Sequence, residues 1–294
     1  MLKQSISNAL DKNYYTYELV LVNDGSQQAV PEDLLTPEVI IIDLVRNLGH
    51  QKAITIGLAW VAENRQADVV IVMDSDGEDR PEDIPILLNA WEKSPDELWF
   101  AQRRKRQESK MFKFLYFFYK RVFKFLTGYV ITFGNYVTIP MEKLKRLVYV
   151  SEIWNHFPGG IIRSKLTYSS VPIDRGNRYN GQSKMNMVAL IQHGLSSITV
   201  NLDVVAVRML IFSFVLIIAS LILLFILMMI RLFSDKAIPG WTSSVGIGIV
   251  IIVLLAFFFS LLLTFTILNG RIQPTFIPAR DYKIYIYRVL NSYQ

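Results

Sequence analysis

Two long runs without a charged residue constrain this chain more than any other feature. Residues 209–230, "MLIFSFVLIIASLILLFILMMI", would extend roughly 33 Å as a helix, enough to cross the hydrocarbon core of a bilayer. Residues 244–268, "SVGIGIVIIVLLAFFFSLLLTFTIL", repeat the pattern after a short polar turn that holds Pro239 and Gly240. Helices of this length in a soluble core rarely lack every charge, so the pattern predicts a transmembrane hairpin. A hairpin leaves both flanks on one side. Arg271, Arg280, Lys283 and Arg288 follow it, whereas the turn carries only Arg231 and Lys236, partly offset by Asp235. The Lys/Arg bias places the bulk of the chain in the cytoplasm, giving a multi-pass protein of the inner (plasma) membrane. The opening "MLKQSISNALDKN" has no long apolar stretch, so no secretory signal is expected there. The chain has no cysteine, which excludes disulfides and thiolate metal sites and fits a reducing compartment.

Ahead of the spans the pattern changes. "YELVLV" (17–22), "VIIIDL" (39–44), "ADVVIVMD" (67–74) and "DELWFAQ" (96–102) read as short strands. "HQKAITIGLAWVAEN" (50–64) and "PEDIPILLNAWEKS" (81–94) read as helices between them, the second opened by Pro81 and acids. Alternating strands and helices predict an α/β domain with a mostly parallel sheet, whose ligands sit outside the carboxyl ends of the strands. "NDGS" and "DSDGED" fall at those ends. In "SKMFKFLYFFYKRVFKFLTG" (109–128), Lys110, Lys113, Lys120, Arg121 and Lys124 share an arc of about 100° on a helix otherwise rich in Phe and Leu. That is the pattern of an amphipathic helix lying in a membrane surface; a core helix with one wet face has the same pattern. The expected divisions are a catalytic domain over 1–140, an acceptor-side and juxtamembrane segment over 141–208, the hairpin over 209–270 and a cytoplasmic tail over 271–294.

The stretch "VIVMDSDGEDRPEDIP" (69–84) packs six carboxylates behind an apolar strand in a chain of net charge +6. A solvated acidic loop and a site for Mg²⁺ or Mn²⁺ both explain it. A hard cation of this kind binds through one or two carboxylates plus substrate phosphates. Two basic clusters accompany the acids. "AQRRKR" (101–106) follows the fourth strand with Arg103, Arg104 and Arg106, and "RGNRYNGQSKMN" (175–186) is a Gly-containing loop bearing Arg175, Arg178, Ser183 and Lys184. Such a loop can hold phosphate oxygens through backbone N–H groups and fixed cations. Carboxylates and cations together fit a diphosphate bridged between a metal and Arg/Lys.

In order and spacing, "LVNDGS", "RNLGHQKAITIGL", "VMDSDGEDRPEDIP" and "RYNGQSKM" resemble the polyisoprenyl-phosphate glycosyltransferases of glycosyltransferase family 2. These are the bacterial relatives of dolichyl-phosphate mannose synthase that carry a C-terminal transmembrane pair. The resemblance implies a GT-A (Rossmann-like) fold and transfer of a sugar, with inversion, from a nucleotide sugar to a polyprenyl phosphate. It implies Asp24 and Ser26 at the nucleoside, Asp74 at the ribose or diphosphate, and Asp76 with Glu78 at the metal. It places Arg103, Arg178, Ser183 and Lys184 at the donor diphosphate or acceptor phosphate; Asp74, Asp76, Arg103 and Lys184 then form the catalytic set. Expected partners are a UDP-type donor, a polyprenyl phosphate and the lipid bilayer, with no nucleic acid; self-association stays open. Asn47 and His50 of "RNLGH" read as loop and helix-start fixtures outside the mechanism, and His156 and His193 have no identifiable partner.

Three departures stand out. Glu78 replaces the family's usual Gln, and Asn135 in "FGNYVTIP" stands where many relatives carry an acid. The family also opens with a strand and a Pro-x-Tyr-Asn-Glu-like turn, which "MLKQSISNALDKNYYTYELVLV" does not contain. Without that strand, exposed sheet edges and a damaged donor pocket are expected. A catalytically impaired membrane adaptor is the alternative. A processive polysaccharide synthase would need more spans and a Gln-x-x-Arg-Trp motif, which the chain lacks.

Overall fold

The computed structural model describes residues 2–10, 14–27, 31, 34–103, 110–174, 176, 179, 194–233, 240–272 and 275–291. They divide into two units, one of residues 1–113, 130–200 and 275–294, the other of 114–129 and 201–274.

The first unit is α/β, with two mixed sheets. Strands β1 (Leu19–Asn23), β2 (Val39–Leu44) and β7 (Ile286–Leu290) form one sheet, in the order β1-β2-β7. Strands β3 (Val69–Val72), β4 (Leu98–Arg103), β5 (Val137–Pro140) and β6 (Tyr168–Ile173) form the other, in the order β3-β5-β4-β6. β1 runs parallel to β2 and β4 parallel to β6, while β3 and β4 both pair antiparallel with β5. The continuous apolar run of β2 is buried along its whole length, as expected of a strand covered on both faces. Its one charged residue, Asp43, accepts hydrogen bonds from Asn23 Nδ2 at 2.8 Å and Arg288 Nε at 2.7 Å. A buried carboxylate is tolerable only with partners of this kind.

Helices cover both faces. On one side α2 (His50–Asn64) and α5 (Met141–Leu147) pack Ile56 and Leu144 against Ile42, Phe100 and Val137. On the other, α1 (Leu2–Ala9) and α3 (Ile84–Lys93) pack Ile6, Leu87 and Leu88 against Ala101 and Tyr136. The strands and helices expected between 17 and 102 are present, β2 and α2 with the expected ends and the others shifted by a few residues. α1, β5, α5, α6 (Phe157–Ser164), β6 and β7 had no clear periodic signal of their own.

The second unit contains α7 (Leu202–Phe233), α8 (Trp241–Ile272) and most of α4 (Lys110–Thr127). The buried positions of α7, Ala206, Ser213, Ser220 and Leu227, recur every seventh residue, and Ile249 and Ala256 do the same on α8. Mostly small residues at heptad spacing let two helices pack closely along one seam. The remaining faces are apolar and open, with Phe214 at 65% and Phe265 at 66% exposure. Both helices are long and apolar enough to cross a membrane. The turn 234–239 lies outside the described residues. Within this unit Arg208 donates to the Phe125 carbonyl at 2.6 Å, capping the carboxyl end of α4 with a cation.

After α8 the chain returns to the first unit through α9 (Pro278–Asp281) and β7. Tyr282 anchors this return. It is 2% exposed, and its hydroxyl donates to Glu63 Oε2 at 2.7 Å and accepts from Asn64 Nδ2 at 3.2 Å. Burial, reinforced by Glu63, pushes the phenol up to about 12. Tyr282→Ala should cost about 3–5 kcal/mol through the lost aromatic ring, whereas Tyr282→Phe should cost about 1 kcal/mol. Urea unfolding of the two variants measures both.

Candidate active site

The carboxyl ends of β1 and β3 converge on one loop, 47–50. Asp24, just past β1, accepts from Leu48 N–H at 2.6 Å and from Gly49 N–H at 2.9 Å. Asn47 Nδ2 donates back to the Asp24 carbonyl at 3.0 Å. Gly25, at φ 70°, sits so close that a Cβ would lie 2.5 Å from Asn47 N; only glycine fits this turn. Ser26 N–H donates to Asn23 Oδ1 at 3.0 Å, closing the turn on itself. "NDGS" and "RNLGH" are therefore one interlocked structure, and the Asp24 carboxylate is turned to backbone amides.

His50, the first residue of α2, crosses to the second sheet. Its Nε2–H donates to Asp74 Oδ1 at 2.9 Å. The Asp74 hydrogen bond, opposed by burial and aided by the charges of Asp74, Asp79 and Asp24, raises the imidazole above its ordinary 6.5. Asp74 is held in turn from behind: its N–H donates to Asp79 Oδ2 at 2.9 Å, and Asp79 is fully buried. No sequence motif marks His50 for this contact. The signal available was position alone, since His50 and Asp74 each follow the carboxyl end of an apolar strand, β2 and β3, by a few residues. Gln51 also escaped notice. Its Oε1 accepts from Phe157 N–H at 2.6 Å and its Nε2 donates to Asn135 Oδ1 at 3.3 Å, joining α2 to the segment before β5. His156 caps α6, accepting from Gly159 N–H at 3.0 Å.

The acidic loop is folded back and partly buried. Asp76 Oδ1 accepts from Glu78 N–H at 2.9 Å, and Glu78 is 8% exposed. The backbone after β6 lies directly on it: Gly176 N–H donates to the Glu78 carbonyl at 3.0 Å and Tyr179 N–H to the Asp76 carbonyl at 2.9 Å. A Cβ on Gly176 would stand 2.2 Å from the Gly77 carbonyl oxygen, so a side chain there cannot coexist with this docking. Arg103 ends β4 with its backbone paired to Ile173, three residues before Gly176. The structure thus brings the Gly176 and Tyr179 amides of the basic segment against the acidic loop. Arg178, Ser183 and Lys184 lie outside the described residues, as does the side chain of Arg103. Beneath, Tyr136 donates its hydroxyl to the Arg80 carbonyl at 2.9 Å, and burial, with the nearby acids, holds its phenol far above the ordinary value.

A cavity of about 2430 Å³ runs from the strand edges to this loop, and Asp74, Asp76, Glu78, His50 and Asn135 line it. Among the described residues no group of three or more His, Asp or Glu side chains is arranged to hold a metal. Asp76 and Glu78 still fit the smaller donor set that Mg²⁺ or Mn²⁺ takes when substrate phosphates complete its shell.

The glycosyl transferase family 2 profile matches residues 1–153, more than half of the 294-residue chain. The chain belongs to glycosyl transferase family 2. It is 27% identical over 307 aligned positions to an uncharacterized glycosyltransferase, YkcC, of Bacillus subtilis (strain 168), covering 99% of this chain and 88% of that protein. It is 25% identical over 211 positions to an undecaprenyl-phosphate 4-deoxy-4-formamido-L-arabinose transferase of Edwardsiella ictaluri, covering 65% of this chain and 59% of the relative. An enzyme of the same name from Photorhabdus laumondii is 37% identical over 99 positions, 32% of this chain and 29% of its own length. This family 2 protein is a glycosyltransferase with two bilayer-length helices behind its catalytic domain.

Two outcomes are expected. The His50 imidazole titrates above 6.5 by NMR, and Asp74→Asn lowers it. Because the folded value is raised, the stability His50 adds is present below pH 6.5 and is lost as pH rises through the folded value. Gly176→Ala displaces the docked backbone by about 1 Å and lowers kcat/KM about 100-fold, with the circular-dichroism spectrum of a folded protein retained.

Proposed function

We propose that this glycosyltransferase moves a sugar, with inversion, from a nucleotide sugar, UDP-linked, to a polyprenyl phosphate at the cytoplasmic membrane face. The observation that carries the proposal is the docking of the Gly176 and Tyr179 backbone amides onto the acidic loop, beside a cavity at the strand carboxyl ends, in a chain with two bilayer-length helices. The undecaprenyl-phosphate transferases among its relatives support the acceptor class.

The parts divide as follows. Asp24 fixes the 47–50 loop at the nucleoside end of the cavity, with Ser26 in the same turn. Asp74, oriented by His50, faces the ribose or diphosphate. Asp76 and Glu78 would hold Mg²⁺ or Mn²⁺, which supplies positive charge to a departing diphosphate. Arg103, Arg178, Ser183 and Lys184 would complete the anion site from the basic side. Their work is positioning and electrostatic stabilisation of the leaving group. The acceptor needs little help from a base. A phosphate monoester has its second pKa at about 6 and is already ionised at neutral pH, which fits a neutral Asn135 at the cavity wall. Nucleophilic attack by the phosphate oxygen on the anomeric carbon breaks the bond to the donor diphosphate, so the configuration inverts.

The membrane topology is two crossings. The chain leaves the first unit at Val200 and re-enters it at Thr275, with β7 paired to β2, and an even number of crossings satisfies that return. Exposed Phe117 and Phe125 on α4, beside Arg121 and Lys124, suit a helix lying in the headgroup region.

Radiolabelled transfer to polyprenyl phosphate, run across a panel of nucleotide sugars with and without Mg²⁺ or Mn²⁺, tests the proposal. One donor should give a lipid-soluble product. Asp76→Ala should abolish metal-dependent turnover while membrane insertion is unchanged; wild-type turnover in that variant would remove Asp76 from the site.

A further inference from the structure

Lys52, in the first turn of α2, is a cation without an acid. It is half-buried and lines the same cavity as Asp74, Asp76 and Glu78. Among the described residues no carboxylate pairs with its ammonium, which sits instead over the Trp154 ring, 5.2 Å from the centroid. Glu152, the acid nearest to Trp154 in sequence, is engaged elsewhere: Arg163 lies 3.5 Å from it and the Ser151 hydroxyl donates to it at 3.0 Å. A ring face compensates a half-buried cation only in part, and an anion brought beside it completes the compensation. The pair is held firmly. Gln51 Oε1 accepts from Phe157 N–H at 2.6 Å and Thr55 Oγ1 donates to the Ile153 carbonyl at 2.8 Å. These two bonds flank Lys52 on α2 and flank Trp154 on the facing segment.

Trp154 also lines the cavity, and it belongs to a wall of three rings. Its centroid lies 3.9 Å from that of Phe276, with the planes inclined at 31°, and 5.1 Å from that of Tyr285. Phe276 and Tyr285 meet at 5.8 Å. All three rings are half-buried, so apolar area remains open on them. Their place in the chain matters. Phe276 comes shortly after Ile272, the last residue of α8, and Ser196 on the cavity wall comes shortly before Leu202, the first residue of α7. Both stretches of the first unit that adjoin the bilayer-length helices in sequence therefore contribute to the cavity wall or to the rings stacked on it.

We infer that Lys52, seated on Trp154, binds the phosphate monoester of an isoprenoid phosphate, and that Trp154, Phe276 and Tyr285 hold the first units of its apolar chain. The inference rests on the polyprenyl-phosphate reading above, and it assigns the acceptor to residues other than the acids, Arg103, Arg178, Ser183 and Lys184. Chemistry selects this ligand. Inorganic phosphate or a donor diphosphate would use the cation and leave three rings idle. An apolar chain without a phosphate would leave the ammonium uncompensated. An anionic head joined to an apolar tail satisfies both. A lysine ammonium, a compact point charge on a flexible stem, suits a terminal phosphate, whose oxygens need no fixed planar fork.

The probe is citronellyl phosphate, a short water-soluble isoprenoid phosphate, titrated calorimetrically into the full chain in nanodiscs, with empty nanodiscs as the blank. Inorganic phosphate, citronellol and UDP are titrated beside it. The wild-type chain should bind citronellyl phosphate about ten-fold or more tightly than inorganic phosphate, through the apolar units. Lys52→Met should weaken citronellyl phosphate about ten-fold or more, and Lys52→Arg should restore most of the loss, while UDP binds all three chains alike. Trp154→Leu should weaken citronellyl phosphate and leave inorganic phosphate unchanged; Phe276→Leu repeats that arm at a second ring. The inference is overturned if the wild-type chain does not bind citronellyl phosphate or binds inorganic phosphate equally well. It is also overturned if Lys52→Met binds as the wild type does, if UDP is weakened to the same extent, or if Lys52→Arg restores nothing. Sugar transfer is followed in the same samples. Transfer with an unchanged acceptor KM in Lys52→Met overturns the subsite alone, whereas Lys52-dependent binding without a transfer product from any donor overturns the transfer reading alone.

Discussion

A four-residue loop, 47–50, holds the catalytic end of the first unit together. Its amides bind the Asp24 carboxylate beyond one sheet, and its terminal imidazole binds Asp74 beyond the other. The part-buried hydrogen bonds to the Asp24 carboxylate are worth about 1.5–3 kcal/mol each, whereas the half-exposed His50–Asp74 pair, like Lys3–Glu38, contributes about 0–1 kcal/mol. Among the described residues no ladder links β1 and β3, so this loop is a hydrogen-bonded tie between their carboxyl ends.

The acidic loop depends on the same economy of backbone. Asp79 is buried and used up in holding Asp74. Glu78 offers its amide to Asp76 and its carbonyl to Gly176. Six carboxylates crowded behind a strand would repel one another in water. Here their loop is tied down by N–H donors from within and from Gly176 and Tyr179, which keeps Asp74, Asp76 and Glu78 on the cavity wall. Each unit also matches its own solvent. Apolar side chains of the first unit turn inward onto α2 and α3, while those of α7 and α8 turn outward around a seam made largely of small residues.

Much of this was legible in the chain. β2 and α2 were read with their observed ends, because a continuous apolar run and a clean helical period each report local burial. α7 and α8 extend the two charge-free runs by several residues at both ends, past Asp203, Arg208, Arg231 and Arg271 and, at the start of α8, through the uncharged "WTS". β5, β6 and β7 were not legible: "VTIP" and "IYRVL" are too short to carry a period, and β6, "YSSVPI", alternates in exposure but not in polarity and contains Pro172. Of the candidate site residues, Asp74, Asp76 and Glu78, which stand out by charge density behind a strand, lie on the cavity wall. His50 was passed over because a lone histidine at a helix start has no sequence mark of partnership. Asp24 was singled out for a ligand, yet its carboxylate engages two amides 24 and 25 residues away.

Sequence alone determined the α/β alternation, the two bilayer-length helices, and the acidic and basic motifs at strand ends, because each follows from periodicity or composition within a short window. Tertiary structure alone decided that the residues after the hairpin pair with β2 as β7, and that His50 and Gln51 tie separate elements together beside the cavity. Those outcomes depend on contacts between residues tens to hundreds of positions apart, and no local pattern encodes which of the available edges and partners will meet.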